Sequence, residues 1–325
     1  MYGRFISTGL VAGVLFGVPT NSARAQVTTS YPTQTVRILL GYGAGGGADI
    51  TARLFAAKME TLTKQVFIVV NKPGANGNIA ANEVVRAQPD GHTLLWSPSS
   101  TYASNHLLYK NTPYDPKRDL TLVSVFTRYG FVLVVSKDNP VNSISELTAR
   151  LKAKGGGMYG SSATSFMACA ELYKLSAGLI TQQVNYKTTG DAVRDLAGQQ
   201  VDFTFVDAAF AVAQSQAGRV KSLAVTLKDR MTGGPEIPTM AESGLPDYEM
   251  SGWIGLAAPK QTPVAIVSQL NRWAGQVIAM QDVRKVILDS SSEPFYLPME
   301  QVAPFQDEQI EKWRRLITDV RLEVQ

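Results

Sequence analysis

A single cysteine, Cys169, and two histidines, His92 and His106, are all that this 325-residue chain has of the side chains most used as soft metal ligands and nucleophile partners. One cysteine cannot close an internal disulfide, and a chain of this size does not need one to hold its core. A cysteine-based metal site and a multi-histidine zinc site are excluded as well, because zinc is held by three or four such ligands. His92 lies in the turn Pro89-Asp90-Gly91-His92 and His106 in a helix-like stretch. Neither stands beside a nucleophile motif, so both read as structural. The G-x-S-x-G elbow is missing too, and Gly160-Ser161-Ser162-Ala163 does not supply it. Glu171 and Asp202 have no spacing that would bring them together. No catalytic residue, metal ligand or cofactor is therefore expected.

Excess charge is also lacking. The balance is 31 basic against 27 acidic residues, and two of the basic ones, Arg4 and Arg24, fall in the first 25 positions. The paired basics Lys117-Arg118 and Arg314-Arg315 are short and flanked by acids, so there is no stripe of the kind that binds nucleic acid. The apolar stretch Phe5 to Val18 falls short of the roughly 20 residues that a membrane-spanning helix needs. With Arg4 before it and Ala23-Arg24-Ala25 after it, the segment has the three parts of an export signal, cleaved after Ala25 to leave Gln26 first. The alternative is an uncleaved anchor. No cysteine follows the cleavage point, which argues against a lipid anchor. The expectation is a periplasmic protein comprising residues 26–325.

That length suits two α/β domains or one large one. Short apolar runs alternate with helical patterns. Val36–Leu40, Val66–Val70 and Thr93–Trp96 read as strands, with helices over about 48–62 and 78–87 between them. This βαβαβ order implies a parallel sheet with helices on both faces. A second block repeats the grammar: strand Phe131–Val135, helix Ser143–Lys154 with Ser143 and Glu146 as a capping box, and a strand running into Tyr159-Gly160-Ser161-Ser162. A helix over about 164–176, strands Val184–Tyr186, Val201–Val206 and Ser222–Val225, and helices over about 190–197 and 208–216 complete it. Strand Gly252–Ala257 and helices over about 263–280 and 302–319 follow. If the chain crosses near Val135 and returns near Leu227, residues 26–135 with 227–325 form one lobe and 136–226 a second. The two crossings would then make a hinge.

Gly41-Tyr42-Gly43-Ala44-Gly45-Gly46 fits G-x-G-x-x-G between a strand and a helix, formally a dinucleotide fingerprint. The second strand, however, ends at Asn71, where that fingerprint needs an acid for the ribose. Export also removes the chain from the cytoplasmic nicotinamide pool. The physics of the loop survives: glycines let backbone N–H groups converge at a helix N-terminus, where about half a positive charge favours an anion. The alternative is a tight turn without a ligand. Tyr159-Gly160-Ser161-Ser162-Ala163-Thr164-Ser165 also leads from a strand into a helix, either to meet an anion or simply to cap it. Two such ends would face each other at the C-terminal edges of the strands, where open α/β sheets bind ligands.

Tyr31-Pro32 leading into Val36-Arg37-Ile38-Leu39, followed by Gly45-Gly46-Gly47-Ala48-Asp49-Ile50-Thr51-Ala52-Arg53, resembles the opening of the Bug family, the extracytoplasmic receptors of tripartite tricarboxylate transporters. Further similar runs are Asn71-Lys72-Pro73-Gly74-Ala75-Asn76-Gly77-Asn78, Pro89-Asp90-Gly91-His92-Thr93-Leu94-Leu95, Pro113-Tyr114-Asp115-Pro116, Pro238-Thr239-Met240-Ala241-Glu242-Ser243-Gly244 and Trp253-Ile254-Gly255-Leu256-Ala257-Ala258-Pro259. They span essentially all of residues 26–325, and their order is more specific than any one of them. The resemblance implies a two-lobed, type II periplasmic-binding-protein (Venus flytrap) fold. It implies a small carboxylate ligand, dicarboxylate or aromatic among the options, passed as cargo to membrane subunits of a transporter; a monomer is the expected state. It implies ligand contacts from Tyr42, Gly43, Ala44, Gly45 and Asn78, with Ser97, Ser99 and Thr101 as further lining. From the second lobe it implies Ser161, Ser162, Thr164, Ser165, Phe166 and Asp207. Asp207 either accepts a hydrogen bond from an amino or hydroxyl group of the ligand or caps the following helix. Asp49 reads as a helix-dipole partner rather than a contact.

Tyr42 stands where the family often has Phe, and Ala44 where it often has Pro. The 162–168 stretch is shorter than the family's glycine-rich version, with Met167 where a His often opens the helix. Phe166 and Met167 either make the pocket apolar or pack in the core. A secreted hydrolase or other enzyme acting on a small carboxylate is the alternative.

Overall fold

The computed structural model describes residues 1–3, 31–231 and 236–320. The expected leader lies outside the described residues except for its first three, as do its cleavage point after Ala25 and the new terminus at Gln26. Everything below belongs to the unit that begins at Pro32.

The elements follow in chain order. They begin with β1 (Val36–Leu40), α1 (Gly47–Thr63), β2 (Phe67–Asn71), α2 (Asn78–Val85), β3 (Thr93–Pro98) and α3 (Asn105–Leu108). Next come β4 (Leu120–Ser136), α4 (Ile144–Ala153), β5 (Gly157–Ser161), α5 (Thr164–Ala177), β6 (Thr181–Asn185), α6 (Thr189–Ala197), β7 (Phe203–Asp207), α7 (Ala208–Gln216) and β8 (Val220–Val225). The chain closes with β9 (Ser251–Pro259), α8 (Val264–Ala279), α9 (Gln281–Asp289), β10 (Glu293–Pro294) and α10 (Met299–Asp319).

β1 pairs in parallel with β2 and β3, and β5 in parallel with β6 and β7, as the two repeats of βα grammar imply. The strand order is β2-β1-β3-β9-β4-β7-β5-β6, with β8 and β10 also on β4. β4 therefore joins the two parallel groups. Through Gly130 it runs antiparallel to β9; from Phe131 it runs antiparallel to β7 and β8. Its far end explains the continuous apolar run Phe131–Val135. Phe131, Leu133 and Val135 face one buried cluster, while Val132 and Val134 face another, so neither face is left for polar residues.

Several boundaries depart from the sequence reading for physical reasons. β4 begins at Leu120 rather than Phe131. Its first half mixes Thr, Ser and Arg with apolar residues, and its pairing with β9 slips at two bulges, so no apolar run marks it. α9 and β10 were not expected; they lie in a polar stretch after α8. Ser143 caps α4 by accepting the Glu146 N–H at 3.2 Å, but the Glu146 carboxylate takes the N–H of Asn142 at 2.8 Å, one residue earlier than a capping box predicts.

Large side chains beyond Leu227 pack with the second group. Met240 and Tyr248 pack with Leu133, Tyr159, Phe203 and Phe205 of the second group, and Val225 bridges to Thr239. Met240 and Tyr248, after β8, thus belong to the core of the second group, and Met250 packs against both clusters. At that passage Thr226 is fully buried and bonded to both neighbours. Its hydroxyl accepts the Phe131 N–H at 2.9 Å and donates to the Met250 carbonyl at 2.6 Å.

Candidate functional site

A cleft of about 350 Å³ opens at the C-terminal ends of β1 and β7, the edge where open α/β sheets receive ligands. One wall is the β1–α1 loop, with Tyr42, Gly43 and Gly46, and the start of α1, with Gly47, Ala48, Asp49 and Thr51. The opposite wall is Ser165 and Phe166 of α5 with Asp207, Ala208 and Ala209 at the start of α7. The floor is the face of β4 that carries Thr127, Tyr129 and Phe131, with Pro98, Ile254 and Ser290–Ser292 beside it.

The β1–α1 loop is held from below. The Asp49 carboxylate accepts the Gly45 N–H at 3.0 Å, the Arg53 Nε at 3.0 Å and the Asn71 Nδ2 at 2.9 Å. Asn71 also donates to the Tyr42 carbonyl at 3.0 Å, and Arg53 donates to the Asn71 Oδ1 at 2.8 Å. These contacts, the Arg53 guanidinium foremost, hold the Asp49 carboxyl down at about 2. The Asn71 that disqualified the dinucleotide reading is thus a strut of this loop. Gly41 lies against the Gly77 backbone: a Cβ there would sit 2.5 Å from the Gly77 Cα. The Tyr42 hydroxyl reaches the Asn76 carbonyl and Ser100 Oγ, each at 3.3 Å, and burial raises its pKa.

Helix ends decide what this cleft offers. α4, α6 and α7 each begin with a side chain that accepts a first-turn N–H: Ser143, Thr188 and Asp207. α1 and α5 do not, nor do α2, α3, α8, α9 and α10; α1 and α5 are the two of these that start on facing walls of the cleft. Their N-cap residues, Gly46 and Ala163, are extended and provide no side-chain cap. The orphan N–H groups of both first turns are therefore uncapped by side chains, and both dipoles start at the cleft. The nearby hydroxyls are engaged elsewhere: Ser161 with the Ala163 carbonyl, Ser162 with Thr189, and Thr164 with the Tyr109 hydroxyl.

Of the residues singled out from the sequence, Tyr42, Gly43, Ser165, Phe166 and Asp207 lie on the cleft wall. Ser99 lines a smaller adjoining pocket that shares Tyr129, Phe131 and Ser165 with it. Ala44 and Gly45 stay on the outer turn, where the Gly45 N–H goes to Asp49. Asn78 is buried beneath the loop and accepts from Asn105 and Tyr114; Ser97 and Thr101 bond to each other at 2.7 Å. These three, with Ser161, Ser162 and Thr164, lie off the cleft wall. Met167 also lies off it, while Phe166 both lines it and meets Phe131 edge-on at 5.7 Å. Asp207 caps α7 through the Phe210 N–H at 2.9 Å while remaining on the wall. Sequence reasoning missed Thr127, Tyr129, Ile254 and the Ser290–Ser292 turn. The Thr127 hydroxyl is buried without a hydrogen-bond partner.

Among the described residues no cluster of His, Cys, Asp and Glu could hold a metal, and no helix is long and apolar enough to cross a membrane.

The sequence matches the Tripartite tricarboxylate transporter family receptor family (TctC) over residues 51–322. The chain belongs to this family. Three solved structures of similar proteins carry the same two-lobed fold. "R. palustris Rpa4515 with adipate" is 30% identical at a TM-score of 0.80, covering 89% of this chain and 98% of that one. The "periplasmic binding protein BugD" is 28% identical at 0.77, covering 91% and 100%. MatC from Rhodopseudomonas palustris "with bound malate" is 28% identical at 0.74, covering 88% and 100%. The receptor is thus a solute-binding protein of the Bug type rather than an enzyme, which sets the hydrolase alternative aside. Members of this family act outside the cytoplasm as binding partners of tripartite transporters.

Proposed function

We propose that this receptor captures a small carboxylate in the cleft between α1 and α5 and presents it to the membrane subunits of a tripartite transporter. The observation that carries the reading is the pair of uncapped helix N-termini on facing walls. An anion held between them would use N–H groups from both lobes at once. A ligand shifts a conformational equilibrium only by its differential affinity for the two states, and contacts on both walls exist together only in the closed one. Tyr42, Gly43, Ser165, Phe166 and Asp207 are the contacts we assign, with Ser99 at the edge. Ala44, Gly45, Asn78, Ser97, Thr101, Ser161, Ser162 and Thr164 shape the loops behind them. The hinge is the passage formed by Gly130–Phe131 of β4 and by Thr226 with Met250. The adipate and malate of the two neighbours support a carboxylate cargo here. We further assign cleavage after Ala25, residence in the periplasm, and a monomeric working state.

The test is uptake in a cell that carries the cognate membrane subunits. A strain lacking the receptor should lose uptake of its labelled carboxylate and regain it with the full chain, but not with a chain starting at Gln26 behind no export signal. Equal rescue by both would refute the exported-receptor reading.

A further inference from the structure

Polar groups without partners gather in the smaller pocket beside the cleft. It holds about 50 Å³ and shares Tyr129, Phe131 and Ser165 with the cleft. Ser99, Ser104, Ser251 and Trp313 line it as well. The Ser104 hydroxyl is fully buried and has no hydrogen-bond partner. Among the described residues the hydroxyls of Ser99, Tyr129, Ser165 and Ser251 and the Trp313 Nε1 make no hydrogen bond either. Hydroxyls close by in sequence are engaged instead: Ser97 with Thr101, Ser100 with Tyr42 and Ser162 with Thr189.

Local structure explains the gathering. After β3 the chain makes one π-helical turn, Ser100–Ser104, whose wide i→i+5 repeat returns Ser104 to the side of Ser99. The Tyr129 ring lies over Gly252 of β9, where a Cβ would sit 2.3 Å from it, so only glycine leaves the ring its place. Ser251 stands opposite Gly130 in the same β4–β9 register. Ser165 comes from the uncapped first turn of α5. The pocket therefore draws on Ser99 and Ser104 from one lobe, on Ser165 from the other, and on Tyr129 and Ser251 at the passage between them.

This chemistry narrows what can enter. Among the described residues no charged side chain lines the pocket. An ammonium group would find no anion there. A methyl group would leave buried hydroxyls dry and unpaired, the costly arrangement. Burial raises the Tyr129 pKa, so its phenol keeps its proton and can donate; an indole N–H can only donate. An oxygen that accepts hydrogen bonds suits this set. At roughly 10–15 Å³ for each water-sized position, the pocket has room for a few non-hydrogen atoms. That matches a hydroxyl, a carbonyl or one carboxylate, and it is too small for a ring.

We propose that this side pocket is a second subsite of the receptor: it takes an oxygen-bearing group of the ligand while the ligand's carboxylate lies between α1 and α5. The preferred cargo is then a carboxylate with a second oxygen function, and Ser104 and Tyr129 determine that preference. The inference rests on the carboxylate-receptor reading above and deepens it.

The test compares plain acids with their oxygenated derivatives on the same carbon skeleton. Butanoate is set beside 2-hydroxybutanoate, 2-oxobutanoate and butanedioate; hexanoate is set beside 2-hydroxyhexanoate, 6-hydroxyhexanoate and hexanedioate. Each is titrated calorimetrically into the ligand-stripped wild type, Ser104→Ala and Tyr129→Phe. Both substitutions delete a hydroxyl that has no partner in the ligand-free protein, so the unfolding midpoints without ligand should not fall. The wild type should bind at least one derivative about tenfold or more tighter than its plain acid, the scale of one or two well-made hydrogen bonds. Each variant should cut that ratio by about fivefold or more, with the plain acid reporting the rest of the cleft. If the wild type does not distinguish derivative from plain acid, or if the ratio is unchanged in both variants, the pocket holds ordered water only and the subsite is refuted while the carboxylate reading stands. If the folded wild type binds no acid at all, plain or oxygenated, the carboxylate reading falls and this inference falls with it.

Discussion

Replacing Asp49 with Asn removes the charge that braces the anion loop while keeping the side chain's size. The folded protein holds this carboxyl at about 2 against an ordinary 3.8, a difference worth roughly 2 kcal/mol if it were wholly folded-state interaction. Asp49 itself is nearly inaccessible, but its partner Arg53 is half-exposed at 51% and therefore screened by solvent. The net contribution is about 1–2 kcal/mol. Because the folded pKa lies below the unfolded one, this stability is fully present above pH about 4 and is lost as pH falls toward 2. Asp49→Asn should therefore lower the stability at pH 7 by about 1–2 kcal/mol, with about 2–4 °C of melting temperature for each kcal/mol. The gap between the two proteins should narrow on acidification. Urea unfolding of both at pH 7, 5, 4 and 3 reads this directly, provided the urea slope stays the same for both. A gap that is absent at pH 7, or that does not shrink by pH 3, would refute the idea that an ionised Asp49 holds Gly45 and Asn71 in place.

Other outcomes follow from single contacts. Gly41→Ala should cost binding and at least about 1–3 kcal/mol of stability, since its Cβ would lie 2.5 Å from the Gly77 Cα, a backbone atom that cannot swing aside; denaturant melts and ligand titration check both. Thr127→Val should leave the ligand-free protein as stable or more so, because it deletes a buried hydroxyl without a partner; a parallel loss of affinity in calorimetry would place that hydroxyl on the ligand. Thr226→Val should destabilise by about 1–3 kcal/mol in urea unfolding, because it strips the Phe131 N–H and the Met250 carbonyl of their shared partner at the passage between the lobes.

Much of this was legible in one dimension where local chemistry and global placement agree. The Gly41–Gly46 loop announces itself because a strand that must turn at once into a helix needs glycine, and the facing Ser162–Ser165 turn because the same geometry recurs. Helices α4, α6 and α7 lie close to where capping residues and breakers place them. What was not legible depends on direction. Asn78, Ser97 and Thr101 stand next to the cleft in sequence, but their polar groups turn inward to each other and to Asn105 and Tyr114. Conversely Thr127 and Tyr129 belong to a strand half that shows no apolar run, and they reach the cleft only because β4 serves both lobes. Ser290–Ser292 arrive from the C-terminal region after α9; its short apolar stripe, Val283 and Ile287, marks a helix but not the cleft that the following turn reaches. The placement of Met240 and Tyr248 in the second core was hidden for the same reason: a loop rich in Gly and Pro carries two large anchors whose partners lie far away in sequence.

If the cleft holds a carboxylate through the helix ends of both lobes, binding must depend on the ligand's negative charge. Thermal unfolding of ligand-stripped protein, beginning at Gln26, reads this against a panel of aliphatic and aromatic carboxylates, each beside its primary amide. Ligand at 100 times its dissociation constant adds about 2.7 kcal/mol, which is several degrees for a chain of this size. At least one acid should give such a shift and its amide none. A protein that folds normally but is moved by no carboxylate, or equally by acid and amide, would contradict it.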